Sequence, residues 1–296
     1  MRNLQASLQA TFQATWQWRL MLLWTLCMLV PTAIAALPAW QLLAAGLDYS
    51  ALDLAQRLDV TVLSDLMTLS RPRLPMLGAA GAAAVLATLL LAPLLAGMAG
   101  GAARRSLIPG SRPARFAALF TDGRQNYWRM LRMLAWTLFL LALAGGLCAL
   151  AVDWARMRAA SALTASEAAL GFQLAGGLWA LLFVLIQVSG DAGRALLAHA
   201  PQRRSALAAW RDGCRLLWRH PLAMLGWYGL ISALGLALAA AIGLARLRVA
   251  GVGVPAFLGA LLLSQAMVAV VGWMRCGRII VLVHAIDRRT PRAVEG

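Results

Sequence analysis

The sequence contains no lysine and only 11 acidic residues among its 296 positions. All 27 basic residues are therefore arginines, a bias that we attribute to GC-rich coding rather than to function. Charged residues make up 13% of the chain, whereas soluble domains carry about 25%. Apolar residues account for 61%. This composition excludes an ordinary water-soluble globular protein.

Residues that commonly carry chemistry are also scarce. The four cysteines show no CxxC spacing, which argues against a zinc module or a disulfide scaffold: Cys27, Cys148, Cys214 and Cys276. The three histidines are isolated in sequence: His199, His220 and His284. No HExxH, GxSxG or Walker motif occurs. We therefore expect no enzymatic activity, no catalytic residue, no metal and no cofactor.

Six apolar stretches have the length that a helix needs to cross a bilayer core of about 30 Å, which is roughly 20 residues. They predict an all-α, polytopic membrane protein that forms a single membrane domain over residues 1–296. The predicted spans are Leu20–Ala45, Pro75–Gly101, Leu131–Val152, Leu170–Gly190, Leu222–Ala245 and Val254–Met274.

The arginines are divided unequally between the two sets of connections. Residues 1–19, 102–130, 191–221 and 275–296, together with Arg132, hold 20 arginines and five acidic residues. The other connections hold seven arginines and six acidic residues. The positive-inside rule then predicts an inner-membrane protein with both termini in the cytoplasm. Its arginine-rich inner face suits anionic lipid headgroups or partner proteins rather than nucleic acid.

A shift of 90 residues aligns two parts of the chain. Eight of the identities in this alignment follow the span boundaries. We therefore interpret the chain as three repeated units of an interfacial helix plus a helical hairpin, at about 1–105, 106–195 and 196–296. The aligned residues are Gly100, Ala102, Arg104, Ala118, Asp122, Gly123, Trp128 and Arg129 with Gly190, Ala192, Arg194, Ala208, Asp212, Gly213, Trp218 and Arg219.

Within each repeat, Asp-Gly is expected to break the chain between an interfacial helix and a span, because glycine relieves the backbone and aspartate caps helices. A Trp-Arg pair follows, and we predict that it anchors lipid: Trp128 and Arg129, Trp218 and Arg219. In the alternative interpretation, these arginines pair with the acidic residues of the same repeats, Asp122 and Asp212.

Few polar residues fall within the spans. Asp191 with Arg194, and Asp153 with Arg156, are three residues apart and can pair on a helix face. Gln187 and Gln265 would indicate a polar path if both faced one cavity.

The pattern of residues 47–74 predicts an amphipathic helix on the outer surface. Glycines within the spans predict tight helix packing or a homodimer seam, and the GxxxG spacing occurs at Gly97–Gly101.

The elbow formed by an aromatic residue, Asp-Gly and Trp-Arg, at Phe120–Arg129 and Trp210–Arg219, resembles that of a bacterial family of six-span inner-membrane proteins. This family is similar to the membrane region attached to some glycerophosphodiester phosphodiesterases. The resemblance covers nearly the whole chain. It implies a compact helical membrane domain, and it carries over no catalytic residue because the chain lacks a phosphodiesterase domain.

Two functions remain open at this point. The leading hypothesis is a non-enzymatic accessory or scaffold protein whose inner face contacts anionic lipid, protein partners or a second copy of the chain. The alternative is a transporter or lipid-translocating protein built from repeats, because repeats commonly frame a substrate site near the bilayer midplane.

Overall fold

The computed structural model of the chain describes residues 17–44, 74–108, 114–162, 164–200, 202–203, 205–248 and 254–288. These ranges contain seven α-helices and no β-strand. The helices are α1 (Trp18–Ala44), α2 (Leu74–Ser106), α3 (Phe116–Ala160), α4 (Ala165–His199), α5 (Ala206–Arg219), α6 (Pro221–Leu247) and α7 (Val254–Asp287).

All of these helices except α5 are long and apolar enough to cross a membrane. Continuous helix is the expected state of such sequences, because each backbone N–H and C=O is then bonded within its own segment. Side chains cap two of the helices where polar residues precede them, since Thr164 accepts from the Glu167 amide and Ser205 from the Ala208 amide. The predicted all-α, six-span architecture is confirmed, and the chain is a multi-pass membrane protein.

One end of the helix bundle carries most of the arginines and is called here the arginine-rich end. It brings together the start of α1 and α3, the helix α5, and the carboxyl ends of α2, α4 and α7. Arg19 on α1 donates to the Ala114 carbonyl before α3, at 3.3 Å. Ser106 on α2 lies 2.9 Å from the His284 ring on α7. Consecutive spanning helices therefore run in opposite directions, as the predicted topology requires.

The hydrophobic core lies mainly towards the arginine-rich end. Helix α7 occupies its centre, in contact with α1, α2, α4 and α6. In the apolar stretch of α7, 56% of residues are buried, against 11 to 28% in the other five spanning helices. Gly272 allows this central position, because a Cβ there would lie 2.6 Å from the Trp24 ring of α1. Helix α7 therefore packs against four of the other five spanning helices.

The halves of the helices that lie away from the arginine-rich end are loosely packed. Large apolar side chains such as Leu147, Leu181 and Leu236 are exposed there. The prediction of tight packing is confirmed for the GxxxG pair, since Cβ atoms at Gly97 and Gly101 would meet α3. Nine glycines of the described helices have nothing within 4 Å, and for them the prediction of packing within the chain is wrong: Gly78, Gly81, Gly145, Gly146, Gly176, Gly177, Gly226, Gly229 and Gly243.

The predicted break at Asp-Gly is also wrong. Helix α3 is continuous through Asp122–Gly123, and Asp212–Gly213 lies inside α5. At 1.5 Å per residue, the 45 residues of α3 extend for about 67 Å, so the expected interfacial helix is the first part of α3. Only in the later copy does the chain break, at His220–Pro221, because proline begins α6.

Close helix contact explains the Asp-Gly pairs instead. A Cβ at Gly123 would lie 2.9 Å from Met98 Cγ and 3.0 Å from the Leu94 carbonyl oxygen, both on α2. A Cβ at Gly213 would lie 3.1 Å from the Gly193 nitrogen on α4. Glycine is therefore needed at both positions to let two helix backbones approach.

We expect the change Gly123→Ala to lower the free energy of unfolding by about 2 kcal/mol, because the added methyl group overpacks the contact between α2 and α3. Thermal unfolding of the purified protein in detergent measures the effect. The matched control is Gly145→Ala on the same helix, where nothing lies within 4 Å. Equal stability of the two variants would contradict this account of the Asp-Gly pair.

Some of the predicted features lie outside the described residues. They include the outer amphipathic helix, which was predicted over residues 47–74, and most of the amphipathic stretch that precedes the first span. The threefold repeat and the unit boundaries stay predictions.

Candidate functional site

A polar cluster lies inside the bundle near the arginine-rich end. Asp191 on α4 is buried and uses both carboxylate oxygens. Its Oδ1 accepts from Arg194 Nη1 at 2.6 Å, and its Oδ2 accepts from the Tyr228 hydroxyl of α6 at 3.0 Å. The predicted pair of Asp191 with Arg194, both on α4, is confirmed. Tyr228 connects this pair to a second helix, α6, a contact that the sequence did not reveal.

Arg278 of α7 faces the same cluster. Its Nε donates to the Ser232 hydroxyl at 2.9 Å, and its Nη2 lies 3.3 Å from the sulfur of Met274. The guanidinium carbon is 4.7 Å from the centre of the Tyr228 ring, a cation–π contact. These contacts hold the guanidinium of Arg278 in place without a direct carboxylate partner among the described residues.

Arg275, one helical turn before Arg278, is a third guanidinium at this site. It lies within electrostatic range of Asp191, Arg194 and Arg278. Among the described residues, however, no hydrogen bond or ion pair reaches it. Arg275 is exposed, and it lines a cavity between the helices. A charged group in that position has its donors available for a ligand.

The cavity has a volume of about 230 Å³ and is lined by α1, α2, α3, α4 and α7. Its polar lining consists of Thr88, Thr137, Gln187, Asp191, Arg194, Arg275 and Arg278. Three guanidinium groups thus share the cavity with one carboxylate, which is already paired with Arg194. Guanidinium donors match carboxylate and phosphate oxygens bidentately, so the chemistry of this lining is suited to an anion.

The predicted lipid anchor Arg129 lies elsewhere, at the carboxyl end of α4. Its Nη2 donates to the carbonyls of Leu197 at 2.8 Å and Ala200 at 3.0 Å, and its Nε donates to the Arg203 carbonyl at 3.0 Å. Its Nη1 donates to Asn126 at 2.9 Å. Arg129 therefore caps the end of α4, where helix carbonyls lack partners, and one of its five N–H groups is left for a lipid.

The alternative in which Arg129 and Arg219 pair with the acidic residues of their own repeats is wrong. Asp122 pairs with Arg105 of α2 at 2.7 Å, and Asp212 pairs with Arg203 at 2.6 Å. In a continuous helix, about 10 Å of rise separates each aspartate from the arginine seven residues later. Both carboxylates pair instead with an arginine in the chain that precedes their helix.

The other three predicted anchors are at the surface. Trp128 is 70% exposed and Trp218 is 89% exposed, and Arg219 is exposed at the end of α5. Such positions are open to lipid, and the anchoring role of these residues stays a prediction. The predicted pair of Asp153 with Arg156 is confirmed at 3.0 Å, on an exposed part of α3.

Of the two glutamines, Gln187 lines the cavity and Gln265 does not. The condition for a polar path, that both face one cavity, is therefore not met here. Gln187 instead adds an amide to the lining of the arginine cavity.

The sequence alone missed Arg275, Arg278 and Tyr228. The sequence places the two arginines in a cytoplasmic segment, because the predicted sixth span ends at Met274. Helix α7 in fact continues to Asp287. The apolar run Ile279–Val283 after the two arginines is the sequence feature that indicates this longer helix, because such a run is typical of a helix with a buried face.

Other reactive groups are scattered. Among the described residues, no three His, Cys, Asp or Glu side chains are grouped so that they could hold a metal ion. Burial raises the pKa of the Cys214 thiol on α5 above its usual value, which keeps the sulfur protonated and weakly nucleophilic at neutral pH.

Comparison of the chain with protein-family models, with curated proteins and with solved structures finds no match.

Proposed function

We propose that this chain is a non-enzymatic inner-membrane protein that binds an anionic lipid headgroup in the cavity of Arg194, Arg275 and Arg278. The observation that carries the proposal is the guanidinium of Arg275, which faces the cavity without a protein partner among the described residues. Phosphate oxygens are the natural complement of such a group. The contact with anionic lipid that is predicted for the inner face would then take place at this cavity.

The predicted topology supports a lipid rather than a soluble anion. Asp191 and Arg194 follow the inner end of the predicted fourth span, and Arg275 follows the inner end of the sixth. Both termini and the arginine-rich end are cytoplasmic in this proposal. The cavity would then lie at the headgroup level of the cytoplasmic leaflet, where anionic lipids concentrate.

Lipid retention tests the proposal. The purified full chain is incubated in a neutral detergent with equal amounts of phosphatidylglycerol and phosphatidylcholine, and native mass spectrometry counts the bound lipids. We expect the protein to retain phosphatidylglycerol preferentially. The change Arg275→Gln should reduce this retention about tenfold, which corresponds to roughly 1.4 kcal/mol.

The matched control is Arg211→Gln, which removes the same charge from the exposed face of α5 and should keep the preference. Equal retention of the two lipids by the unmodified protein would overturn the proposal. So would an Arg275→Gln variant that retains phosphatidylglycerol as the unmodified protein does.

A transporter or lipid-translocating protein is the second candidate. It is favoured by the charged cavity, because Asp191 and Arg275 both belong to helices apolar enough to span a membrane. Translocation of a fluorescent anionic lipid across reconstituted vesicles, abolished by Arg275→Gln, would favour this role over static binding.

A further inference from the structure

An apolar groove adjoins the anion cavity. It is lined by α1, α2 and α7 and has a volume of about 480 Å³. Four residues line both the groove and the cavity: Trp24, Thr88, Leu89 and Arg275. The two spaces are therefore neighbours, and Arg275 stands where they meet.

The groove extends from Arg275 away from the arginine-rich end. On α7 its lining runs back from Arg275 to Met267, and on α1 it runs forward from Trp24 to Thr32. Eight residues of helix rise about 12 Å. One leaflet of a hydrocarbon core about 30 Å thick measures about 15 Å. The groove thus has the length of a chain that stays within a single leaflet.

The lining changes character along this path. Beyond Arg275 the groove presents apolar side chains and two hydroxyls, those of Thr32 and Thr88. Each hydroxyl donates to a backbone carbonyl of its own helix at 2.8 Å. The apolar lining comprises Met28, Pro31, Ala84, Val85, Met267, Val268 and Val271. A charged cavity that opens into an apolar groove is complementary to a molecule with an anionic head and an alkyl chain.

From this arrangement, we infer that the ligand is an anionic amphiphile bound with its phosphate in the arginine cavity and one alkyl chain along the groove between α1, α2 and α7. The inference rests on the proposed function and adds the class and the orientation of the ligand. Specificity then comes from both ends, because the arginines reject a neutral head and the groove favours a long chain.

Three probes separate the contributions of head and chain: dodecyl phosphate, ethyl phosphate and dodecyl maltoside. Binding to the full chain in nanodiscs of phosphatidylcholine is measured by competition with a radiolabelled dodecyl phosphate. We expect dodecyl phosphate to compete at least tenfold better than either of the other probes.

Variants of the groove test where the chain lies. Ala84→Phe fills the groove from α2 and should weaken dodecyl phosphate binding at least fivefold while leaving ethyl phosphate unchanged. Val268→Phe fills the groove from α7 and should act alike. The matched control is Ala83→Phe, an exposed neighbour that lines neither space, and it should bind as the unmodified protein does.

The outcomes distinguish this inference from the proposed function. If Arg275→Gln abolishes binding of dodecyl phosphate while Ala84→Phe and Val268→Phe leave it unchanged, the head site stands and the chain site is overturned. If the two groove variants weaken ethyl phosphate as strongly as dodecyl phosphate, the chain site is also overturned. If Arg275→Gln binds dodecyl phosphate normally, the proposed function itself fails.

Discussion

The change Asp191→Asn is expected to lower the free energy of unfolding by about 3 kcal/mol, because removal of one partner of a buried ion pair leaves the other charge uncompensated. The Asp191 and Arg194 side chains are only 12% and 15% exposed. The amide would also weaken the hydrogen bond from Tyr228, which ties α6 to α4. Thermal or denaturant unfolding in detergent measures the loss.

The chain provides a matched control for this change. Asp153 and Arg156 have the same three-residue spacing, but their side chains are 63% and 70% exposed. Exposed pairs contribute little, so Asp153→Asn should cost less than about 0.5 kcal/mol. A similar loss of unfolding free energy for the two variants would show that burial does not determine how much the Asp191–Arg194 pair contributes to stability.

The second large effect is expected at Arg129. The change Arg129→Gln should destabilise the protein by about 3 kcal/mol, since hydrogen bonds from a charged donor contribute about 1.5 to 3 kcal/mol each and several are lost together. Three of the lost bonds go to backbone carbonyls in the last turn of α4 and just after it, those of Leu197, Ala200 and Arg203. Unfolding in detergent is again the measurement, combined with a count of retained phosphatidylglycerol.

Arg219→Gln is the control for Arg129→Gln, because a shift of 90 residues aligns the two arginines and Arg219 is exposed. We expect this variant to unfold at nearly the same temperature as the unmodified protein. If Arg129→Gln keeps its stability but loses phosphatidylglycerol, Arg129 serves the membrane, and the capping role assigned to it is wrong.

Much of the architecture could be predicted from the sequence because a bilayer imposes simple rules. A helix needs about 20 apolar residues to cross the core, and this length makes the spans visible in one dimension. The short-range pairs Asp191 with Arg194 and Asp153 with Arg156 could also be predicted, because helical periodicity alone brings their side chains together.

The Asp-Gly pairs show why other predictions failed. In a local interpretation, glycine and aspartate are typical of turns and caps. Gly123 instead lies where the backbones of α2 and α3 approach each other, and Asp122 forms an ion pair with Arg105 on the neighbouring helix. No feature of the local sequence distinguishes a glycine that turns the chain from a glycine that fits a helix crossing.

The sequence by itself thus determined the spans, their number and the inequality of charge between the connections, because these depend on the composition of single segments. Only the tertiary structure decided which polar residues share a site. Thr137, Asp191 and Arg275 are far apart in sequence, and they line one cavity because α7 packs at the centre of the bundle. The physical reason is that the cavity depends on which helix faces meet, and those faces are chosen by packing between segments rather than by the sequence of any one segment.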